Sequence, residues 1–222
     1  MGRPSMSAEE IANNRIHLIS TAIEMIREDG IQSVTARSLG SRAGINSALI
    51  YRYFKDIDEL ILFSCVHVLQ DYASEMRASL KKLETEGHVT DFQLYLQSWE
   101  LFSRHAFTHP EEYNILFFSK HSSELQRVSK EYFDLFPVQL SNDDDMILQG
   151  MFRTSSLHNR NLLLLIPILE GKIPEDDIIL INDMTVAFFY ALLMQIMRKE
   201  PGITVESQIK RMLQACRKIT TL

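Results

Sequence analysis

Cysteine is scarce in this chain of 222 residues. Cys65 and Cys216, the only two, stand far apart without ligand spacing, which excludes a disulfide framework, argues against a zinc site and suits a reducing cytoplasm. Long apolar runs are missing as well. The longest, 162–169 and 187–194, are too short to cross a bilayer, and Met1, Gly2, Arg3, Pro4 and Ser5 lead into no signal-peptide stretch, so a soluble cytoplasmic protein with no membrane partner is expected. Alternating Val/Ile/Thr runs are absent, which argues against a sheet. No nucleophile elbow, Gly-rich phosphate loop or zinc motif is visible, so neither an enzyme nor a cofactor is expected. Positive charge is lacking too: the formal net charge of −6 at first argues against a nucleic-acid partner.

The average hides an asymmetry. Residues 1–55 carry seven basic and five acidic side chains, a net +2 that leaves −8 on the remainder. Between residues 30 and 55 stand Arg37, Arg42, Arg52 and Lys55 with no acid among them, the local field that a phosphate backbone requires.

What is present reads as helix. Ser7 and Glu10 have capping-box spacing, Ile16, Ile19, Ile23 and Ile26 repeat on one face, and Gly30 offers a left-handed stop, predicting a first helix over 8–29. Two short helices follow, 35–42 and 47–53. Asp56 and Glu59 repeat the capping spacing and open a long helix to about residue 83. Further helices are expected over 90–108, 110–119, 122–135, 143–154, 158–170, bent by Pro167, then 175–199 and 204–216. The fold class is therefore all-α: an N-terminal three-helix domain with a helix-turn-helix over 1–55, and a larger helical ligand-binding and dimerisation domain over 56–222.

A helix-turn-helix demands a small residue where its helices cross, a glycine in the turn and apolar residues that hold the pair. Gly40, Gly44 and the set Leu39, Ala43, Ile45, Ile50 and Tyr53 meet those demands. Ser47, Ala48, Tyr51 and Arg52 are left at the exposed start and flank of the second helix, the part that enters a major groove.

The run from Val34 to Lys55, with its Tyr51, Arg52, Tyr53, Phe54, Lys55 ending and the following Asp58, Glu59 and Leu60, resembles the DNA-binding signature of the TetR family. The likeness covers about residues 8–62; the remainder is similar only in being helical and of suitable length. It implies that Thr35 and Tyr51 bind phosphates, that Arg37, Ser47 and Ala48 approach base edges, and that Tyr53 and Lys55 flank the backbone. Arg3, on an arm ahead of the first helix, is expected in the adjacent minor groove. The pattern departs at Ile57, where many members carry lysine near the start of the fourth helix, which removes one expected backbone contact.

In similar proteins the last two long helices pair with their copies, so Met184, Ala187, Phe188, Ala191, Leu192 and Gln195, with Ile209, Met212 and Leu213, form the expected homodimer interface. A pocket for a mostly apolar effector is expected among Trp99, Phe102, His105, Phe117, His121, Met151, Phe152 and His158. His105 and His109 lie four apart, but Pro110 breaks their helix and no third ligand is evident, so no metal is expected. The acids at 143–145 and 175–177 read as helix starts, not a calcium loop. The expectation is thus a repressor of transcription on a palindromic double-stranded operator, released by a small molecule. The alternatives are an activator of the same build, and a helical binding protein with a vestigial DNA reader.

Overall fold

A helix begins where a side chain can satisfy its first free amides. Ser7 does so for α1 (Ala8–Asp29): its hydroxyl accepts from the Glu10 amide at 3.1 Å, and the Glu10 carboxylate accepts from the Ser7 amide at 2.8 Å. The computed structural model describes residues 6–87, 89–137 and 156–219 of the chain. Arg3, Met151, Phe152, the expected helix over 143–154 and the acids at 143–145 lie outside them.

The buried face of α1 is Leu18, Ile19, Ala22, Met25 and Ile26, while Ile16 and Ile23 are only half-buried, so the stripe is rotated from the expected isoleucine row. Gly30 closes the helix with φ 79° and ψ 168°, a positive-φ but extended conformation instead of the expected left-handed helical one. A 3₁₀ turn over Ile31–Ser33 leads to α2 (Ala36–Arg42). The second helix of the hairpin is not an α-helix: Ser47–Arg52 forms a 3₁₀ turn. Asn46 accepts from the Ala48 amide at 2.9 Å, and the Leu49 amide donates to the Asn46 carbonyl at 2.8 Å, so the chain enters on tight three-residue hydrogen bonds.

The expected helix over 56–83 is broken in two, α3 (Ile57–Cys65) and α4 (Val68–Glu86). The cause is local competition for carbonyls. Ser64 Oγ donates to the Leu60 carbonyl at 2.9 Å, and Nδ1 of His67 lies 2.8 Å from the Ser64 carbonyl, the acceptor that a continuous helix would give to residue 68. Helix α3 consequently turns back onto α1 and also packs against α6 (Pro110–Phe118) and α7 (Leu125–Leu135).

In the body, α5 (Asp91–Thr108) is the central rod. It contacts α4, α6, α8 (Leu157–Leu169), α9 (Glu175–Met197) and, along most of its length, α10 (Val205–Ile219). Phe102 explains this centrality, since its ring meets Tyr72, Trp99, Tyr113, Phe117 and Phe189 at centroid separations of 5.2–5.9 Å. Truncating one such core aromatic to alanine costs about 3–5 kcal/mol. A polar thread crosses the same region: Trp99 Nε1 donates to Asn161 at 2.9 Å, and Asn161 Nδ2 donates to Asn182 at 2.9 Å, joining α5, α8 and α9. The apolar core is one cluster from Leu18 to Cys216 and crosses position 55 without a gap.

Read as whole helices and not as residue runs, α9 is long and apolar enough to cross a membrane by length and composition, with a mean hydropathy of 1.6 over 18 residues. Its inner face, including Phe189, Leu192 and Leu193, is buried within the subunit. Glu175, Asp176 and Asp177 occupy its first turn, as expected of acids at the positive end of the helix dipole.

Candidate nucleic-acid interface and internal cavity

The hairpin geometry depends on two glycines for different reasons. Gly40 sits where α2 crosses the Ser47 turn, and a Cβ there would lie 3.1 Å from both the Ile45 carbonyl oxygen and the Ser47 amide nitrogen. Gly44 adopts φ 69°, the left-handed region, and has open space around it. Leu39 and Ile50 are fully buried between the arms, with Ala43, Ile45 and Tyr53 packed at the edge.

This packing turns Thr35, Arg37, Ala48, Tyr51, Arg52 and Lys55 to solvent, while Ser47 is half-buried. Tyr51 is 55% exposed beside Arg52 on the same turn. Thr35 caps α2, accepting from the Ser38 amide at 3.1 Å, so its first task is to hold the helix that carries Arg37. Tyr53 is half-buried, and its hydroxyl donates to Met6 Sδ at 3.6 Å, which ties it to the base of the N-terminal arm. Arg42 is committed elsewhere, to Glu28 at 2.7 Å.

Acids adjoining this face are engaged. Asp56 caps α3 by accepting from the Glu59 amide at 2.7 Å. Asp58 meets Lys120 at 3.4 Å and His121 at 3.2 Å, and Glu59 pairs with Arg127. Arg127 also holds Glu124 at 3.0 Å and Glu131 at 2.9 Å, and Glu131 reaches Arg15 of α1 at 2.8 Å. Arg15 in turn lies over the rings of Phe54 and Phe63. These contacts leave the field of Arg37, Arg52 and Lys55 little opposed and strap α1 and α3 to α7.

The body contains a hollow bounded by α4, α5 and α8 and lined by Tyr72, Ser98, Trp99, Phe102, Leu157, Arg160, Asn161 and Leu164. Its volume is about 30 Å³, and it is open on one side to solvent. Of the expected pocket residues, Trp99 and Phe102 line it, and Phe117 stands one layer behind, beneath the Arg160 guanidinium at 5.0 Å. The others are elsewhere. His105 lines a separate polar surface hollow and pairs with Glu75 at 3.1 Å, His121 is drawn to Asp58, and His158 faces outward, 3.6 Å from Asp183. Each finds a carboxylate partner that an apolar cavity lacks.

Sequence reasoning missed Tyr72, Arg160 and Asn161. One signal was available: Arg160 is the sole charged residue, histidine aside, in segment 157–169, whose other polar residues are Asn159 and Asn161. Burial pushes its guanidinium down to about 10, which leaves it protonated at neutral pH.

The expected dimer residues divide similarly. Met184, Ala187 and Ala191 are exposed along α9 and Phe188 is half-buried, but Leu192 and Met212 are fully enclosed by their own subunit. Gln195 accepts from Gln208 at 2.6 Å and from Arg211 at 2.8 Å, binding α9 to α10. Ile209 and Leu213 are half-buried and line a groove with Arg104 and Thr108 of α5. Helix α10 therefore spends its apolar face inside the subunit.

The fold and this hairpin define an all-helical protein whose N-terminal unit is a helix-turn-helix. Residues 18–62 match the model of the bacterial regulatory proteins of the tetR family. The HTH-type transcriptional regulator BetI of Brucella anthropi is 34% identical over 71 residues, covering 32% of this chain and 37% of that protein. HbdR, an HTH-type transcriptional regulator of Aromatoleum sp., is 27% identical over 73 residues, 33% of this chain and 32% of its own length. The match thus spans about a third of these curated relatives. Across the whole chain the fold resembles that of Thermus thermophilus FadR, a TetR-family transcriptional repressor solved in complex with lauroyl-CoA. That likeness has a TM-score of 0.55 at 13% identity and covers 91% of this chain and 93% of FadR. A regulator of the TetR/AcrR family from Thermobifida fusca is similar at a TM-score of 0.51 and 13% identity, over 94% and 97% of the two chains. Residues 18–62 thus match the tetR-family DNA-binding segment, and beyond them the likeness is one of fold.

Proposed function

We propose that the protein is a dimeric, sequence-specific DNA-binding regulator that represses transcription and leaves its operator when a small molecule enters the α4–α5–α8 cavity. The observation that carries this reading is the acid-free face of the hairpin, on which Thr35, Arg37, Ala48, Tyr51, Arg52 and Lys55 are exposed together. Arg37, Ser47 and Ala48 read base edges, Thr35, Tyr51, Arg52 and Lys55 meet the phosphates, and Arg3 follows the neighbouring minor groove. Tyr53 positions the arm through Met6. A chromosomal operator places the protein in the cytoplasm.

The dimer reading rests on surface chemistry. Eight large hydrophobic side chains are markedly exposed among the described residues, and six of them, Leu163, Ile166, Ile179, Leu180, Met184 and Tyr190, lie on α8 and α9. A second copy laid two-fold on these helices covers them and sets two reading turns about one helical turn of DNA apart. The interface is then α8 with α9, in place of α9 with α10.

Release follows from two links between cavity and reader. Tyr72, on the cavity wall, lies on α4, joined to α3 through the break at 66–67, and the Arg15–Glu131–Arg127–Glu59 chain joins α7 to the reader. A ligand that prefers the displaced arrangement by about 1–3 kcal/mol weakens operator binding about 5- to 150-fold. Selection from a random duplex pool, then salt-dependent titration of the winner with wild type and Arg37→Ala, tests the reading. A palindrome bound by a dimer and weakened by Arg37→Ala is expected; no enrichment from folded protein rejects it.

A further inference from the structure

Glu59 bridges the end of the reading turn and the body. One of its carboxylate oxygens accepts from the Lys55 amide at 2.6 Å, and the other is held by the Arg127 guanidinium of α7. The Glu59 amide donates to Asp56 Oδ1 at 2.7 Å, so residues 55, 56 and 59 are tied together and Arg127 holds the outer end of the tie. A second arm leaves the same residue. Arg127 pairs with Glu131 at 2.9 Å, Glu131 pairs with Arg15 of α1 at 2.8 Å, and the Arg15 guanidinium lies 5.4 Å from the centre of the Phe54 ring. Both arms therefore end on adjacent residues, 54 and 55, where the chain leaves the reading turn. Charge converges there as well: Asp56, Asp58 and Glu59 follow Lys55 within four positions, and segment 120–131 sets Lys120, His121 and Arg127 against Asp58 and Glu59.

We infer that Arg127 is a positioning residue for operator binding: without touching DNA, it seats Lys55 against a phosphate through Glu59 and offsets acid charge beside the reading face. The inference deepens the proposed function and rests on its reading of the hairpin as the DNA-contacting face. An isolated exposed ion pair contributes little, because solvent screens it and two long side chains must be ordered to make it. Arg127 differs in kind. Its one planar guanidinium meets three carboxylates, Glu59, Glu124 at 3.0 Å and Glu131, and Glu59 is already fixed by a backbone amide, so less ordering is left to do. Without Arg127, Glu59 stands as an uncompensated acid four positions from Lys55 and opposes the approach of a polyanion. The cost then falls on the complex with DNA more than on the fold. Because the contacts carry no information about bases, affinity changes and sequence preference does not.

Titration of the full-length protein on its selected operator between about 50 and 200 mM salt tests the assignment. Arg127→Gln is expected to fold as wild type does, to bind about 3- to 10-fold more weakly at the low-salt end, and to approach wild type as salt rises. Its plot of log affinity against log salt should be shallower by at most about 0.9, the share of one phosphate. Mismatched operators should lose affinity in the same proportion, and Arg127→Lys, which keeps the charge, should recover part of the loss. A double-mutant cycle separates the routes. Glu59→Gln keeps an acceptor for the Lys55 amide but removes the charge, and in that background Arg127→Gln should weaken binding no further. Wild-type affinity and slope in Arg127→Gln overturns the inference. So does an undiminished loss in the Glu59→Gln background, which marks a direct contact between Arg127 and DNA. Should Arg127→Gln fail to fold, Glu59→Asp, too short to span the Lys55 amide and Arg127 together, should show the same loss, and wild-type binding by it overturns the inference equally. No operator for the wild type rejects the reader and this inference with it, whereas an operator bound equally by wild type and Arg127→Gln rejects this inference alone.

Discussion

Replacing Gly40 with alanine puts the reading geometry under direct strain. The added Cβ meets the Ile45 carbonyl oxygen and the Ser47 amide nitrogen at 3.1 Å and Ser47 Cα at 3.2 Å. All three are backbone atoms, so no side chain can swing aside; α2 and the Ser47 turn must separate by a few tenths of an ångström. Two terms oppose each other in stability. Alanine in place of glycine in a helix returns about 0.8–1.0 kcal/mol, while overpacking costs about 1–3 kcal/mol. The balance runs from near zero to about 2 kcal/mol, a fall in Tm of at most about 8 °C for a chain of this size. DNA binding is hit harder, because Arg37 on α2 and Ala48 and Tyr51 on the turn no longer share one register. Loss of one good base contact, about 1–3 kcal/mol, is about 5- to 150-fold in affinity. Fluorescence anisotropy on the selected operator at fixed salt, alongside thermal unfolding, reads both quantities. Gly44→Asn is the control: φ there is 69° with nothing within 4 Å, asparagine tolerates that conformation, and affinity should hold to within about 2-fold. If Gly40→Ala binds the operator as wild type does, the close approach does not set the reader's geometry.

Met184→Glu, at a site 55% exposed, should leave the subunit folded but shift the protein to monomer in sedimentation, whereas Leu192→Glu, at a fully buried site on the same helix, should unfold it. Asn182→Leu strands the Asn161 amide, a cost of about 1–3 kcal/mol, and a Tm unchanged from wild type would contradict the buried thread. Glu131 is pushed up by partial burial but brought net below 4.5 by hydrogen bonds from Arg15 and Arg127. Its contribution is therefore present above about pH 4.5 and lost as pH falls through the lower folded value, so Glu131→Gln should flatten acid unfolding below that point. His109 is raised above 6.5 by its Glu112 partner, against the opposing effect of burial. That contribution is complete below pH 6.5 and fades as pH rises through the higher folded value; His109→Asn should lose stability at pH 5.5 and little at pH 8.5, and an equal loss at both would refute the pairing.

Much of this protein was legible in one dimension because it rests on local rules. The Ser7–Glu10 capping box, the Asp56 cap, the positive φ of Gly44 and the narrow approach at Gly40 each follow from a few adjacent residues, and so did the exposed, acid-free reading face. Even local chemistry was misread where side chains compete with the backbone: Ser64 and His67 take carbonyls near the α3–α4 junction and split one expected helix into two. What lay beyond the sequence is whatever joins distant segments. Helical periodicity marks an apolar stripe but not its partner, so Leu192 and Met212 read as interface until α5, α9 and α10 enclosed them, and Leu163 and Ile166 came forward only once α8 had taken its place beside α9. Charge pairing follows the same logic. Arg15 and Glu131 are 116 positions apart, and only tertiary packing brings them to 2.8 Å. Arg160 drew no notice in the sequence, and only the packing of α4, α5 and α8 placed it on the wall of a hollow, because burial belongs to the assembled fold and not to the residue.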